Sequence, residues 1–230
     1  MVKSMIRRWI PRWLPLGTIL PYGLIFGFQC AIYFFTELYV RNLDKMSFHT
    51  VIDAKIPFVE PFIYIYLSCY ILWIINIPLA GNVSKNHFYK LCTTSLICVL
   101  ISGVCFVLFP VTIDRPTVTG TGLTASFVRF LYKIDSPVNL FPSLHCISSW
   151  LAYVAVRGQD VIPKPYRIFS CVYAISICIS TQVLKQHFLA DLVVGVALVE
   201  LVWYLVRKTN FYTFIENFFE RINERLGFHW

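Results

Sequence analysis

Six long apolar stretches separated by short polar ones set the pattern of the chain. They run over residues 14–40, 61–80, 88–110, 141–156, 166–184 and 188–206. An α-helix rises about 1.5 Å per residue, so roughly 20 apolar residues cross the hydrocarbon of a bilayer. Five of the six reach that length and 141–156 is short for a span. The first is interrupted by Pro21 and Gly23 and reads as one helix with an overhang or a kink. Between the spans, residues 41–60 mix charged and apolar positions and predict a short surface helix ahead of Pro57. Residues 111–140 form the longest connection, a length usually kept for function. Its Thr119–Gly122 stretch reads as flexible. After it, Thr124–Ile134 predicts a helix with Phe127, Phe130 and Leu131 on one face.

Two further segments flank the spans. Residues 1–13 alternate four basic residues with two tryptophans, which suits a segment lying in the headgroup region. Residues 207–230 repeat Phe211, Phe214, Ile215, Phe218, Phe219, Ile222 and Leu226 at helical spacing, the mark of an amphipathic helix on the membrane surface. The expected architecture is an all-α integral membrane protein. A single domain fills 1–230, with a six-helix transmembrane core over 14–206 and interfacial amphipathic segments at both ends.

Composition agrees. The chain is 57% hydrophobic and 14% charged with mean hydropathy +0.66, where a soluble domain carries roughly 25% charged residues. The net charge of +8 is no sign of nucleic-acid binding, because the basic residues sit at the ends of apolar runs. Thirteen Lys and Arg fall on the side of the two termini and seven on the other. The positive-inside rule then makes both termini cytoplasmic, in a plasma or inner membrane. The eight cysteines lie within or at the edge of apolar runs without metal spacing and read as small hydrophobes.

The candidate chemistry falls on the other, extracytoplasmic face. His187 and Asp191 are four apart and become neighbours on a helix. A carboxylate there holds one ring nitrogen and leaves the other as nucleophile or base. Pro142 and Ser143 open the fourth span, whose unpaired first amides, including that of Leu144, form an anion site beside His145. Arg115 offers a planar, permanently charged fork, and Lys185 lies two residues before His187. Together these residues suit phosphoryl transfer through a phosphohistidine. His187 attacks, Asp191 orients it, and His145 serves as acid and then base. Arg115, Lys185, Ser143 and the helix-start amides stabilise the phosphoryl oxygens. No carboxylate cluster for Mg²⁺ appears in these stretches, so neither metal nor other cofactor is expected.

Asp114-Arg115-Pro116, Phe141-Pro142-Ser143-Leu144-His145 and Ser180-Thr181…His187…Asp191 resemble the three motifs of the type 2 phosphatidic acid phosphatase superfamily. These are integral-membrane lipid phosphatases and phosphotransferases whose active site vanadium haloperoxidases share. The resemblance covers about residues 88–206. The family pattern is Lys, six residues, Arg-Pro; Pro-Ser-Gly-His; and Ser-Arg, five residues, His, three residues, Asp. The chain departs from it at Leu108 for the lysine, Leu144 for the glycine and Thr181 for the arginine. Lys185 is placed to compensate for a lost cation.

The resemblance implies metal-independent hydrolysis of a lipid phosphate monoester or pyrophosphate at the bilayer surface. The Phe-Pro-Ser-Leu-His form also resembles the inositol phosphorylceramide and sphingomyelin synthase branch, which implies transfer of a phosphoryl headgroup to an acceptor hydroxyl. Asn139 and Asp135 are the candidate acceptor contacts. A membrane protein with a decayed site is the third reading, and the six spans disfavour a soluble haloperoxidase.

Overall fold

The computed structural model describes residues 14–228 and Trp230, so the basic N-terminal segment 1–13 lies outside the described residues. Ten α-helices follow one another among them. They are α1 (Leu16–Val40), α2 (Val51–Lys55), α3 (Ile63–Leu67), α4 (Cys69–Leu79), α5 (Lys85–Leu108), α6 (Leu123–Ile134), α7 (Leu144–Val156), α8 (Lys164–Val183), α9 (Leu189–Lys208) and α10 (Tyr212–Leu226). Five helical stretches are long and apolar enough to cross a membrane: α1, the combined Glu60–Asn82 stretch, α5, α8 and α9. The chain is a multi-pass membrane protein.

The fourth expected span is shorter still than its apolar run. Residues 141–143 are not helical, and α7 keeps 13 residues, about 20 Å at 1.5 Å per residue. Polar bonds hold this short helix inside the bundle. Trp73 Nε1 donates to Ser149 Oγ at 2.9 Å, and Asn76 Nδ2 donates to Ala152 O at 3.0 Å and to Ser170 Oγ at 3.1 Å. At its far end Arg157 and Trp150 both donate to Glu200 on α9, each at 2.6 Å. Gly195 lets α9 approach the start of α7, since a Cβ there would lie 3.1 Å from Ser143 O.

Pro21 does not break α1. A proline lacks the N–H that would bond the carbonyl four residues back, here Gly17 O. Asn223 Nδ2 from α10 supplies that donor at 3.0 Å. The tail helix thus docks on the bundle: Tyr212, Ile215, Phe219 and Asn223 are buried, and Tyr89 and Lys85 of α5 both bond Glu220. Phe211, Phe214, Phe218 and Leu226 of the expected stripe stay exposed. The expected helix at 124–134 is α6. Ala125, Val128 and Leu131 are buried, whereas Phe130 is exposed. The second span bends at Ser68, between α3 and α4, where the hydroxyl donates to Ile65 O.

The predicted surface helix in 41–60 is α2, closed at its start by a capping box between Thr50 and Asp53. It straps the end of the bundle. Val59 N donates to Val183 O at 2.9 Å, and Asp53 Oδ1 accepts from Leu189 N, the first amide of α9, at 2.8 Å.

Candidate active site

One turn builds the centre of the site. Lys185 takes a left-handed conformation (φ 50°) just past α8. Its N–H bonds Gln182 O at 3.1 Å, and the Gln186 N–H bonds Thr181 O at 2.9 Å. This pair of bonds ends a helix in a left-handed cap, a position usually given to glycine. Lys185 holds it from the side, its Nζ donating to Asp53 O at 3.1 Å and Ile56 O at 2.6 Å. Gln186 and His187 are thereby turned into the bundle, 2% and 8% exposed.

His187 Nδ1 lies 3.0 Å from Leu140 O and 3.3 Å from Asp191 Oδ2. Both partners accept, so Nδ1 carries the proton and Nε2 is the free nitrogen. Asp191 Oδ2 also accepts from Phe188 N at 2.9 Å, which fixes the carboxylate against the start of α9. Burial disfavours charge on the His187 ring, but the Asp191 carboxylate outweighs it and holds the ring above its ordinary value of 6.5.

His145, in the first turn of α7, faces His187 with ring centroids 6.0 Å apart. Reacting atoms sit about 3–3.5 Å apart in a productive geometry, so two such contacts in series span this gap. The His145 ring packs on Tyr66 (4.5 Å) and Trp73 (5.8 Å), and its Nδ1 lies 3.4 Å from Tyr66 OH. Ser143 caps α7, its Oγ accepting from Cys146 N at 3.3 Å, while its own N–H bonds Asp191 O at 3.2 Å. The Leu144 and His145 amides are first-turn groups that a helix leaves without partners of its own.

Arg115 is held on three sides. It donates to Asp135 O at 2.5 Å and Gln186 Oε1 at 2.6 Å and lies 4.8 Å over the Tyr132 ring. Its Nε is buried without a partner, and so is Gln186 Nε2. Because Arg115 fixes the Gln186 oxygen, the amide nitrogen points away from the guanidinium. Both residues, with His187, line one cavity of about 350 Å³. Two buried donors with nothing to bond are costly unless a ligand accepts from them.

Asp135 lines the same cavity. Tyr33 OH donates to its Oδ1 at 2.6 Å, and Arg115 lies 3.6 Å from Oδ2. Burial raises its pKa above the ordinary carboxylate value, against the pull of Tyr33 and Arg115. Asn139 has φ 57° and donates to Tyr33 O at 2.9 Å and Thr36 Oγ1 at 3.0 Å, tying its loop to α1.

The fold therefore brings Arg115, Asp135, Asn139, Leu144, His145 and His187 around one cavity. Asp191 and Ser143 stand behind the two histidines, and Lys185 lies behind the turn. Sequence reasoning missed Gln186, Tyr66, Trp73, Asp53 and the Leu140 carbonyl. Only Gln186 carried a local signal, its place next to His187. Where the motif departs, Thr181 is buried with its hydroxyl on Cys178 O, and Leu108 is 62% exposed on the outside of α5.

A family model described as the PAP2 superfamily matches residues 42–205. No curated relative and no solved structure matches the chain.

Proposed function

Because the chain belongs to the PAP2 superfamily, we propose that it hydrolyses a lipid phosphate ester through a phosphohistidine at His187. His187 Nε2 bonds to phosphorus as the ester P–O bond breaks, and His145 gives its proton to the departing alcohol oxygen. His145 then takes a proton from water as that oxygen attacks phosphorus. The P–N bond breaks, inorganic phosphate leaves, and both rings return to their starting state. Asp191 and Leu140 O keep the His187 proton on Nδ1. Arg115 Nε, Gln186 Nε2 and the amides of Leu144 and His145 receive the phosphoryl oxygens. Lys185 adds its charge from behind the turn, and the Ser143 hydroxyl shapes the helix start.

The observation that carries this reading is the His145–His187 pair, 6.0 Å apart, beside two buried donors without partners. A lipid substrate is supported by the cavity itself. It runs from His187 along α1 to Phe26, seven residues beyond Tyr33 and so about 10 Å deeper into the spanning region. The charge asymmetry of the connections supports an extracytoplasmic site with cytoplasmic termini. The test is phosphate release from a panel of lipid phosphates. His187→Ala should abolish it while the protein inserts and folds, and an acid-labile phosphoenzyme should be trapped on the wild-type protein alone. Turnover by His187→Ala sinks the mechanism.

One observation favours a second reading, transfer to an acceptor hydroxyl. Asp135 places a carboxylate in the cavity that also holds His145, where it can accept from an alcohol. A new phosphodiester lipid in the presence of acceptor alcohols, lost in Asp135→Asn, would select it.

A further inference from the structure

His187 and Arg115 line two cavities, and among the described residues no other lines both. The first, of about 350 Å³, is walled by α1, α3 and α4 with Phe26, Tyr66 and Trp73. These residues belong to the helices that cross the membrane. The second has a volume of about 520 Å³. Its lining comes from 47–58, 113–116 and 182–188, the connections and helix ends around the α2 strap. Its charged and titratable residues are His49, Asp53, Asp114, Arg115, Lys185 and His187.

The two products of hydrolysis differ as the two cavities do. The lipid alcohol belongs in the bilayer. Inorganic phosphate carries one to two negative charges at neutral pH, and moving it out along the aromatic, membrane-level arm of the first cavity would strip its water. We infer that the second cavity is a binding and release chamber for inorganic phosphate. The lipid uses one door and inorganic phosphate leaves by the other, past Arg115 and His187, which line both. This rests on the hydrolytic reading above.

The chamber's charges suit passage. Asp53 spends its carboxylate on Thr50 and on the first amide of α9. Burial opposes its charge, but those bonds hold it below its ordinary value. Lys185 has two of its three N–H groups on carbonyls. Asp114 and His49 are exposed. Beyond the shared Arg115, a lining of mixed sign whose lysine is partly engaged holds phosphate less firmly than the Arg115, Gln186 and α7-amide cluster does, which favours departure.

The test plugs each door in turn. Cys30 lines the first cavity and is exposed. Ser47 lines the second and is exposed. The native protein is alkylated at Cys30, and a Cys30→Ala/Ser47→Cys variant is alkylated at its introduced thiol. Each is compared with itself before labelling. Alkylation at position 47 should lower kcat at least tenfold with no rise in lipid KM, and should weaken inhibition by added inorganic phosphate. Alkylation at Cys30 should raise lipid KM and leave phosphate inhibition unchanged.

The inference is overturned if the label at 47 leaves kcat and phosphate inhibition untouched. It is equally overturned if that label raises lipid KM, which would make the chamber a seat for part of the lipid. If the unlabelled protein releases no phosphate from any lipid, the hydrolytic reading fails instead. The chamber is then judged by whether inorganic phosphate slows alkylation of the introduced thiol. Protection supports it and its absence refutes it.

Discussion

Replacing Asp191 with asparagine tests how His187 is held. The carboxylate accepts from Phe188 N and lies 3.3 Å from His187 Nδ1. Leu140 O lies closer to the same nitrogen, at 3.0 Å. The amide of Asp191→Asn can keep an oxygen in both bonds, so the α9 start and the tautomer survive, while the charge is lost and the amide nitrogen takes the buried, unpartnered place of Oδ1. A hydrogen bond to a charged group is worth about 1.5–3 kcal/mol and a neutral one about 0.5–1.5. The difference, about 1–1.5 kcal/mol, is felt as positive charge builds on the attacking ring, and it corresponds to a roughly tenfold loss in kcat. The same energy moves the ring's pKa down by about one unit. Attack needs Nε2 unprotonated, so kcat/KM of the wild type should fall as pH drops through the raised His187 value. In Asp191→Asn that acid limb should move to lower pH. The assay is a pH–rate profile on detergent-solubilised protein with circular dichroism as the folding control. A loss near 10⁴-fold, as when a carboxylate alone fixes a catalytic tautomer, would refute the role given to Leu140 O. An unmoved acid limb would refute the charge coupling.

Two further substitutions probe the supports of the site. Gly195→Ala places a Cβ 3.1 Å from Ser143 O. It should push α9 off the start of α7, costing about 1–3 kcal/mol in stability and more activity than that loss alone explains, as read by thermal unfolding and kcat together. Lys185→Met removes the charged donor from two strap carbonyls and should cost about 1–3 kcal/mol. Lys185→Gly should cost less, because glycine accepts the left-handed backbone freely; equal unfolding temperatures for the two would show that the backbone conformation matters little.

The spans and the two histidines could be read from the chain because each is a local pattern. Apolar run length marks the long helices, and Asp191 does meet His187, though His187 precedes α9 and the carboxylate reaches back to it from the first turn rather than along one helix face. The misreadings have equally physical causes. The run 141–156 looked longer than its helix because Phe141, Pro142 and Ser143 are apolar or small yet extended. What completes the site is remote in the chain. Asp53 reaches the start of α9 across 136 residues and Tyr66 reaches His145 across 79, and no periodicity encodes such pairs. Lys185, read as a substitute for a lost cation, supports the turn that presents the neutral donor Gln186.

The bond from Asn223 to Gly17 O has a consequence for assembly. The first span emerges with a carbonyl that Pro21 leaves unanswered, and its donor is synthesised 206 residues later. Gly17 is buried in the folded bundle, so that carbonyl has no water to turn to there. The wall of the lipid cavity contributed by α1 is therefore finished only when the last helix docks. Substitutions at Asn223, at the far end of the molecule from the histidines, should register first as poor membrane assembly rather than as altered chemistry.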